Sequence, residues 1–202
     1  DKKLHADQNI DHVFSKTAIA KSYVQLGAIN LSLGDATAAL KHLRNARDWY
    51  EKLPLETAQK EFSSELSRLE YWLGEAHSQL GNADEAERRL KLAVSERQQL
   101  FKEKRKTGRL SALSRSQLRL GDFYMVAKKD PTLAWSQYQS ALSGYKKLLQ
   151  HNQDSVSTRE GLANVEYRIG GLLLHAKAVG VGLEDVPGGD DPNTHFEISC
   201  QL

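Results

Sequence analysis

Residues 26–53 read LGAINLSLGDATAALKHLRNARDWYEKL, residues 73–100 read LGEAHSQLGNADEAERRLKLAVSERQQL, and residues 120–148 read LGDFYMVAKKDPTLAWSQYQSALSGYKKL. Each stretch opens on a Leu-Gly pair, runs as helix-forming sequence to a short turn, and continues as a second helical stretch. Ile169-Gly170 makes a fourth pair, so the glycine recurs after 47, 47 and 49 residues. Near-equal intervals of this kind mark an internal repeat, and a repeat decides the architecture before any other signal is read. The turns fall at Gly34-Asp35, Gly81-Asn82 and Asp130-Pro131, and the third carries one extra residue. Gly and Asn tolerate the left-handed backbone that ends a helix, and Asp caps the helix that follows.

Working outward, the apolar residues fall at steps of three and four, the helical period. Ile19, Tyr23, Leu26, Ile29 and Leu33 are expected to form the packing face of the first helix. Ala36, Ala39, Leu40, Leu43, Ala46, Tyr50 and Leu53 do the same in the second. The second repeat shows Ala86, Leu90, Ala93, Val94, Leu100 and Phe101. Small alanines at a crossing let two helices approach closely. A lone helix pair cannot bury its apolar face, so neighbouring pairs must stack. The expected fold is all-α: a right-handed α-solenoid of antiparallel helix pairs. Its units lie at about 14–60, 61–107 and 108–153, a capping helix at 155–178, and a tail at 179–202.

Composition agrees with this. Apolar residues make up 40% and charged residues 27% of the 202 residues, with only 4 Pro, as in an ordinary soluble fold. Ala, Leu, Gln, Glu, Lys and Arg, which lose least on entering a helix, are plentiful. One cysteine, Cys200, rules out an intrachain disulfide and makes a reducing cytoplasm the default expectation. The longest apolar run, 170–183, is broken by His175 and Lys177, so no membrane span is expected. Asp1 stands where a start methionine would, which suggests a piece of a longer protein. The net charge of +2 hides an asymmetry: five acids and no Lys or Arg follow Lys177, so a tail of −5 is attached to a body of +7.

The repeat resembles the tetratricopeptide repeat. The matching positions are Leu26, Gly27, Asn30, Ala39, Leu43 and Ala46 in the first unit. In the second they are Leu73, Gly74, His77, Ala86, Leu90 and Ala93, and in the third Leu120, Gly121, Tyr124, Ala134, Tyr138 and Ala141. The family's period is about 34 residues, so these repeats are long, and the added length is expected to extend both helices of each pair. Long repeats of this style are similar to those in large bacterial signalling proteins, including serine/threonine kinases. The resemblance implies a superhelix used for protein–protein interaction, with first helices lining a concave groove. A second reading is a regulatory or oligomerisation module of such a signalling protein.

Catalytic chemistry is not expected. The chain has no Gly-rich phosphate loop, HExxH, CxxC or GxSxG, the patterns that carry common reactions. Its seven histidines lack a ligand at metal-binding spacing, so no metal or cofactor is expected, and His77 reads as a packing residue. Cys200 stands one place too near the end for prenylation. The basic run Phe101–Arg109 has no interleaved aromatics and sits at a helix end, where the dipole favours cations, so nucleic acid is not an expected partner.

The residues six before each glycine are Lys21, Arg68, Arg115 and Asn164; those two before are Gln25, Trp72, Arg119 and Arg168. On stacked first helices these form two ladders. Arginine pairs well with carboxylates, and Trp72 offers an aromatic anchor with Tyr71 and Tyr167 near it. The expected partner is therefore an acidic protein or peptide, bound by Lys21, Gln25, Arg68, Trp72, Arg115, Arg119 and Arg168. The chain's own acidic tail and a second copy of the chain are further candidates. The basic and Asn pairs with which family members grip a C-terminal carboxylate are missing: Val24 and Ala28, Tyr71 and Glu75, Leu118 and Asp122, and Tyr167 and Gly171 stand there instead.

Overall fold

The first reversal of the chain is made by Gly34 and Asp35. Gly34 adopts φ 81°, its N–H bonds the Leu31 carbonyl at 3.1 Å, and the Asp35 N–H bonds the Asn30 carbonyl at 2.9 Å. These bonds satisfy the orphan carbonyls of the ending helix. The Asp35 carboxylate then accepts the Ala38 N–H at 2.9 Å and caps the next helix. Gly81, at φ 75°, repeats the turn with Asn82 bonded to the His77 carbonyl at 2.9 Å. The computed structural model describes residues 2–53, 62–178 and His195, and over residues 2–12 and at Lys177 it describes the backbone alone.

Among the described residues the structure is all-α. The helices are α1 (Lys2–Ser32), α2 (Ala36–Glu51), α3 (Ser63–Gln79), α4 (Ala83–Glu103), α5 (Thr107–Phe123), α6 (Pro131–His151) and α7 (Val156–Ala178), with a π-helical turn at Tyr124–Lys128. The chain divides into two compact units, Asp1–Glu96 and Arg97–Leu202.

In the first unit α2 packs on α1, and α3 packs on α2 while touching α1. A Cβ added at Gly27 would stand 2.6 Å from Leu43 Cγ, and one at Gly74 would stand 2.7 Å from Leu90 Cγ. Each glycine thus seats the bulky residue of the following helix. The flanking alanines Ala39, Ala46, Ala86 and Ala93 are fully buried. Between α3 and α4, Arg89 forks onto Glu70 at 2.8 and 3.0 Å and bonds Glu85 at 2.7 Å.

In the second unit α5 packs on α6, α6 on α7, and α7 also touches α5. Gly121 seats Tyr138, while Gly144 of α6 meets Ser114 and Leu110 of α5. One contact lies near the end of α5 and the start of α6 and the other lies the opposite way round, so the two helices run antiparallel. Arg97 is buried and donates to the Ala112 carbonyl and to Ser116 Oγ. A buried guanidinium there was not anticipated by the sequence reading.

The third repeat differs from the others by one residue, and the π turn absorbs it. From the Leu-Gly glycine to the left-handed residue is seven positions in the first two repeats, ending on Gly34 and Gly81. It is eight in the third, ending on Lys129 at φ 53°. An extra residue inside a helix widens one turn to π geometry, after which Asp130 caps α6 through the Leu133 N–H at 2.9 Å.

One expectation is corrected. The first helix begins at Lys2. Its packing face is not Ile19, Leu26, Ile29 and Leu33, which are exposed; the buried stripe is Thr17, Ala20, Val24, Gly27 and Leu31. Both stripes obey the helical period. The one carrying Ala20 and Gly27 wins because only small residues let α2 come close enough for Leu43 to seat.

Candidate functional site

In the second unit three elements converge on Asp122, near the C-terminal end of α5. Its Oδ1 accepts the Tyr138 hydroxyl at 2.9 Å and lies 3.0 Å from Arg168 Nε of α7; its Oδ2 lies 3.8 Å from Arg119 Nη1, one turn earlier on α5. Arg119 and Asp122 are three apart on one helix and so share a face. Burial first, and then the Asp122 charge beside it, pushes the Tyr138 phenol far above its ordinary range. Tyr138 therefore stays a neutral donor, locked onto the carboxylate.

This cluster stands at a cavity of about 280 Å³ lined also by Met125, Val126, Tyr167, Gly171 and Leu172. Met125 and Val126 come from the π turn, and Val126 is 80% exposed. The extra residue of the third repeat is thus what places an apolar lip beside the charged cluster. Gly171 carries no side chain, which keeps the α7 wall open. Two guanidinium groups face one carboxylate, so the site holds a net positive charge. Both Arg119 and Arg168 retain solvent-facing surface. The arrangement can take a carboxylate on its rim and an apolar side chain inside.

The anticipated binding residues are placed as follows. Arg119 and Arg168 meet at Asp122. Arg115, one turn from Arg119, is exposed and bonds the Tyr145 phenol, whose protonated form is favoured chiefly by burial. In the first unit Lys21 pairs with Glu65 at 2.9 Å and Gln25 is exposed. Arg68 is half-buried near Tyr50, with its Nε enclosed. Trp72 is half-buried against the hydrophobic core and meets the buried Tyr71 edge-on at 4.9 Å. Tyr71 packs inside, whereas Tyr167 is exposed at the cavity. Asp122, Met125 and Val126 were not singled out as site residues. The signal for them was present as the extra residue and as an acid one place after Gly121.

The tail lies outside the described residues except for His195. That residue is buried, with Nδ1 2.5 Å from Glu166 Oε2; the fully buried Glu166 also lies 3.6 Å from Lys146 Nζ. His195 therefore packs on α7 at Glu166.

Among the described residues no three His, Cys, Asp or Glu side chains are grouped to hold a metal ion, and no helix is long and apolar enough to cross a membrane. No protein-family profile matches the chain, and no curated protein sequence matches it.

Proposed function

We propose that this chain is a protein-interaction scaffold of the tetratricopeptide-repeat kind, a right-handed solenoid that binds an acidic peptide segment, with the cavity at Asp122 as its working site. The observation that carries the reading is the convergence of Arg119 and Arg168 on one carboxylate at the mouth of an apolar cavity. Asp122 holds both guanidinium groups in place and stands in for the acidic group of a ligand. A ligand carboxylate would share or replace it through charge-assisted hydrogen bonds. The exposed Tyr167 and Val126 offer apolar contact to a neighbouring ligand side chain. The repeated seating of Leu43, Leu90 and Tyr138 on the Leu-Gly glycines supports the family reading.

The test is titration of the chain with a capped Glu-Glu-Phe-Leu-Glu-Glu peptide. Saturable binding is expected, weakened by added salt, because exposed charges are screened. Arg168→Ala should reduce affinity about tenfold, the size of a lost charged hydrogen bond. Asp122→Asn keeps an acceptor for Tyr138 but removes the competing charge, and should tighten binding. Affinity that neither substitution changes would overturn the reading.

A further inference from the structure

The face of α1 excluded from the core carries an ordered pattern of large apolar residues and serines. Ser15, Ile19, Ser22, Leu26, Ile29 and Leu33 succeed one another at steps of four, three, four, three and four. This is the spacing of a two-helix seam, in which one side chain per half-heptad meets a partner helix. All six are exposed, and Phe14 flanks them at 60% exposure. The only charged residues between Val13 and Leu33 are Lys16 and Lys21, both half-buried, and Lys21 is already paired with Glu65. An exposed stripe with no charge on it that runs about five turns along α1 and ends on Leu33, just past the helix, is not built for water.

The repeat shows what such a face accepts. Leu26 is 42% exposed, whereas its counterparts Leu73, Leu120 and Ile169 are 1%, 3% and 0% exposed. The same position is buried in the other three repeats and open in this one.

We infer that this face is a self-association seam, on which a second copy of this chain lays its own α1 in antiparallel orientation. The choice of occupant and direction follows from side-chain size. The pattern is symmetric about position 24. An antiparallel pair sets Ser15 opposite Leu33, Ile19 opposite Ile29, and Ser22 opposite Leu26, once in each half of the seam. Small thus meets large in two of three layers, as Gly27 meets Leu43 inside the chain. A parallel pair would set serine on serine twice and crowd leucine on leucine. No like charges are brought together along the antiparallel seam. Each copy contributes on the order of 500 Å² of apolar surface, enough to mark an interaction site on a monomer. Two copies cover about 1,000 Å², the lower end for a specific interface, so the dimer should dissociate on dilution.

Sedimentation and light scattering of the 202-residue chain over a concentration series test this. A dimer that dissociates on dilution is expected. Leu26→Glu with Ile29→Glu, both at exposed positions, should keep the helical circular dichroism and raise the dissociation constant at least about a hundredfold, since charge would enter the seam. The direction is read by cysteine pairing in a Cys200→Ser background. Ser15→Cys together with Leu33→Cys should yield a covalent dimer on mild oxidation, and Ser15→Cys alone should not. A chain monomeric at every concentration, a double-Glu variant that still dimerises, or efficient cross-linking by Ser15→Cys alone would overturn the inference.

Discussion

At the scale of single residues, the glycines divide by what stands beside them. Gly74 seats Leu90, and an added Cβ would lie 2.7 Å from Leu90 Cγ and 3.1 Å from the Leu90 backbone nitrogen. The side chain could swing aside, but the backbone could not. Alanine gains about 1 kcal/mol over glycine in a helix interior, whereas overpacking a close contact costs about 1–3 kcal/mol. Gly74→Ala is therefore expected to lower stability by about 1 kcal/mol, the middle of that difference. Gly108, in the first turn of α5, has nothing near the place a Cβ would take. Gly108→Ala should raise stability by roughly 0.5 kcal/mol, since only the propensity term remains. Urea unfolding of the two variants beside the parent checks both signs. Equal effects would mean that Gly74 marks no tight crossing.

At the scale of elements, the π turn at Tyr124–Lys128 has the clearest consequence. It exists because the third repeat has one residue more than the first two, and it carries Met125 and Val126 to the cavity. Deleting Ala127 restores the seven-residue interval. The turn should then close to ordinary α geometry with little change in helix content, because Asp130 can still cap α6. The apolar lip would be withdrawn, so binding of the acidic peptide should fall while circular dichroism and the unfolding midpoint stay near parental values. Unchanged binding would show that the lip contributes nothing. The same element shows how much could be read beforehand. The helix pairs and their turns are local consequences of glycine placement and period, and they were legible; the seating of Leu43, Leu90 and Tyr138 on the glycines is a contact between helices that the structure adds. The exposed stripe of α1 was not, because α1 is apolar on two faces and periodicity cannot choose between them. Nor was the meeting of Arg119, Arg168 and Asp122, since it depends on how α7 is rotated against α5. The buried Arg97 escaped for a similar reason: its bonds to the Ala112 carbonyl and to Ser116 Oγ depend on how α4 and α5 pack.

At the scale of the whole molecule, both compact units rest on phenols that burial keeps neutral. In the first unit burial pushes Tyr50 up to about 12, with Glu65 adding to the shift. In the second, burial raises Tyr138 and Tyr145, with the Asp122 charge adding at Tyr138. An unfolded chain ionises these groups near the ordinary value of 10.0. A folded-state pKa above the unfolded one gives stability that is complete below about pH 10 and is lost as pH rises toward the folded value. On the acid side the hydrogen bond from Arg88, aided by Arg89, holds Glu85 down to about 2. That contribution is present above the ordinary value of 4.5 and fades as pH falls toward 2, but the pair is largely solvent-exposed and screened, so the acid loss should be slight. Burial holds the His77 imidazole below its ordinary value of 6.5, so some stability is also lost as pH falls below that value. The profile is therefore expected to be flat from about pH 7 to 10, to decline slightly below it and to drop steeply above it. Thermal unfolding across that range, with phenolate absorbance followed in parallel, gives the check. Tyrosine absorbance should rise in two stages, an early one from exposed phenols and a late one that coincides with unfolding. If all the phenols ionise near pH 10 while the helices remain intact, the buried tyrosines are not what limits the fold at high pH.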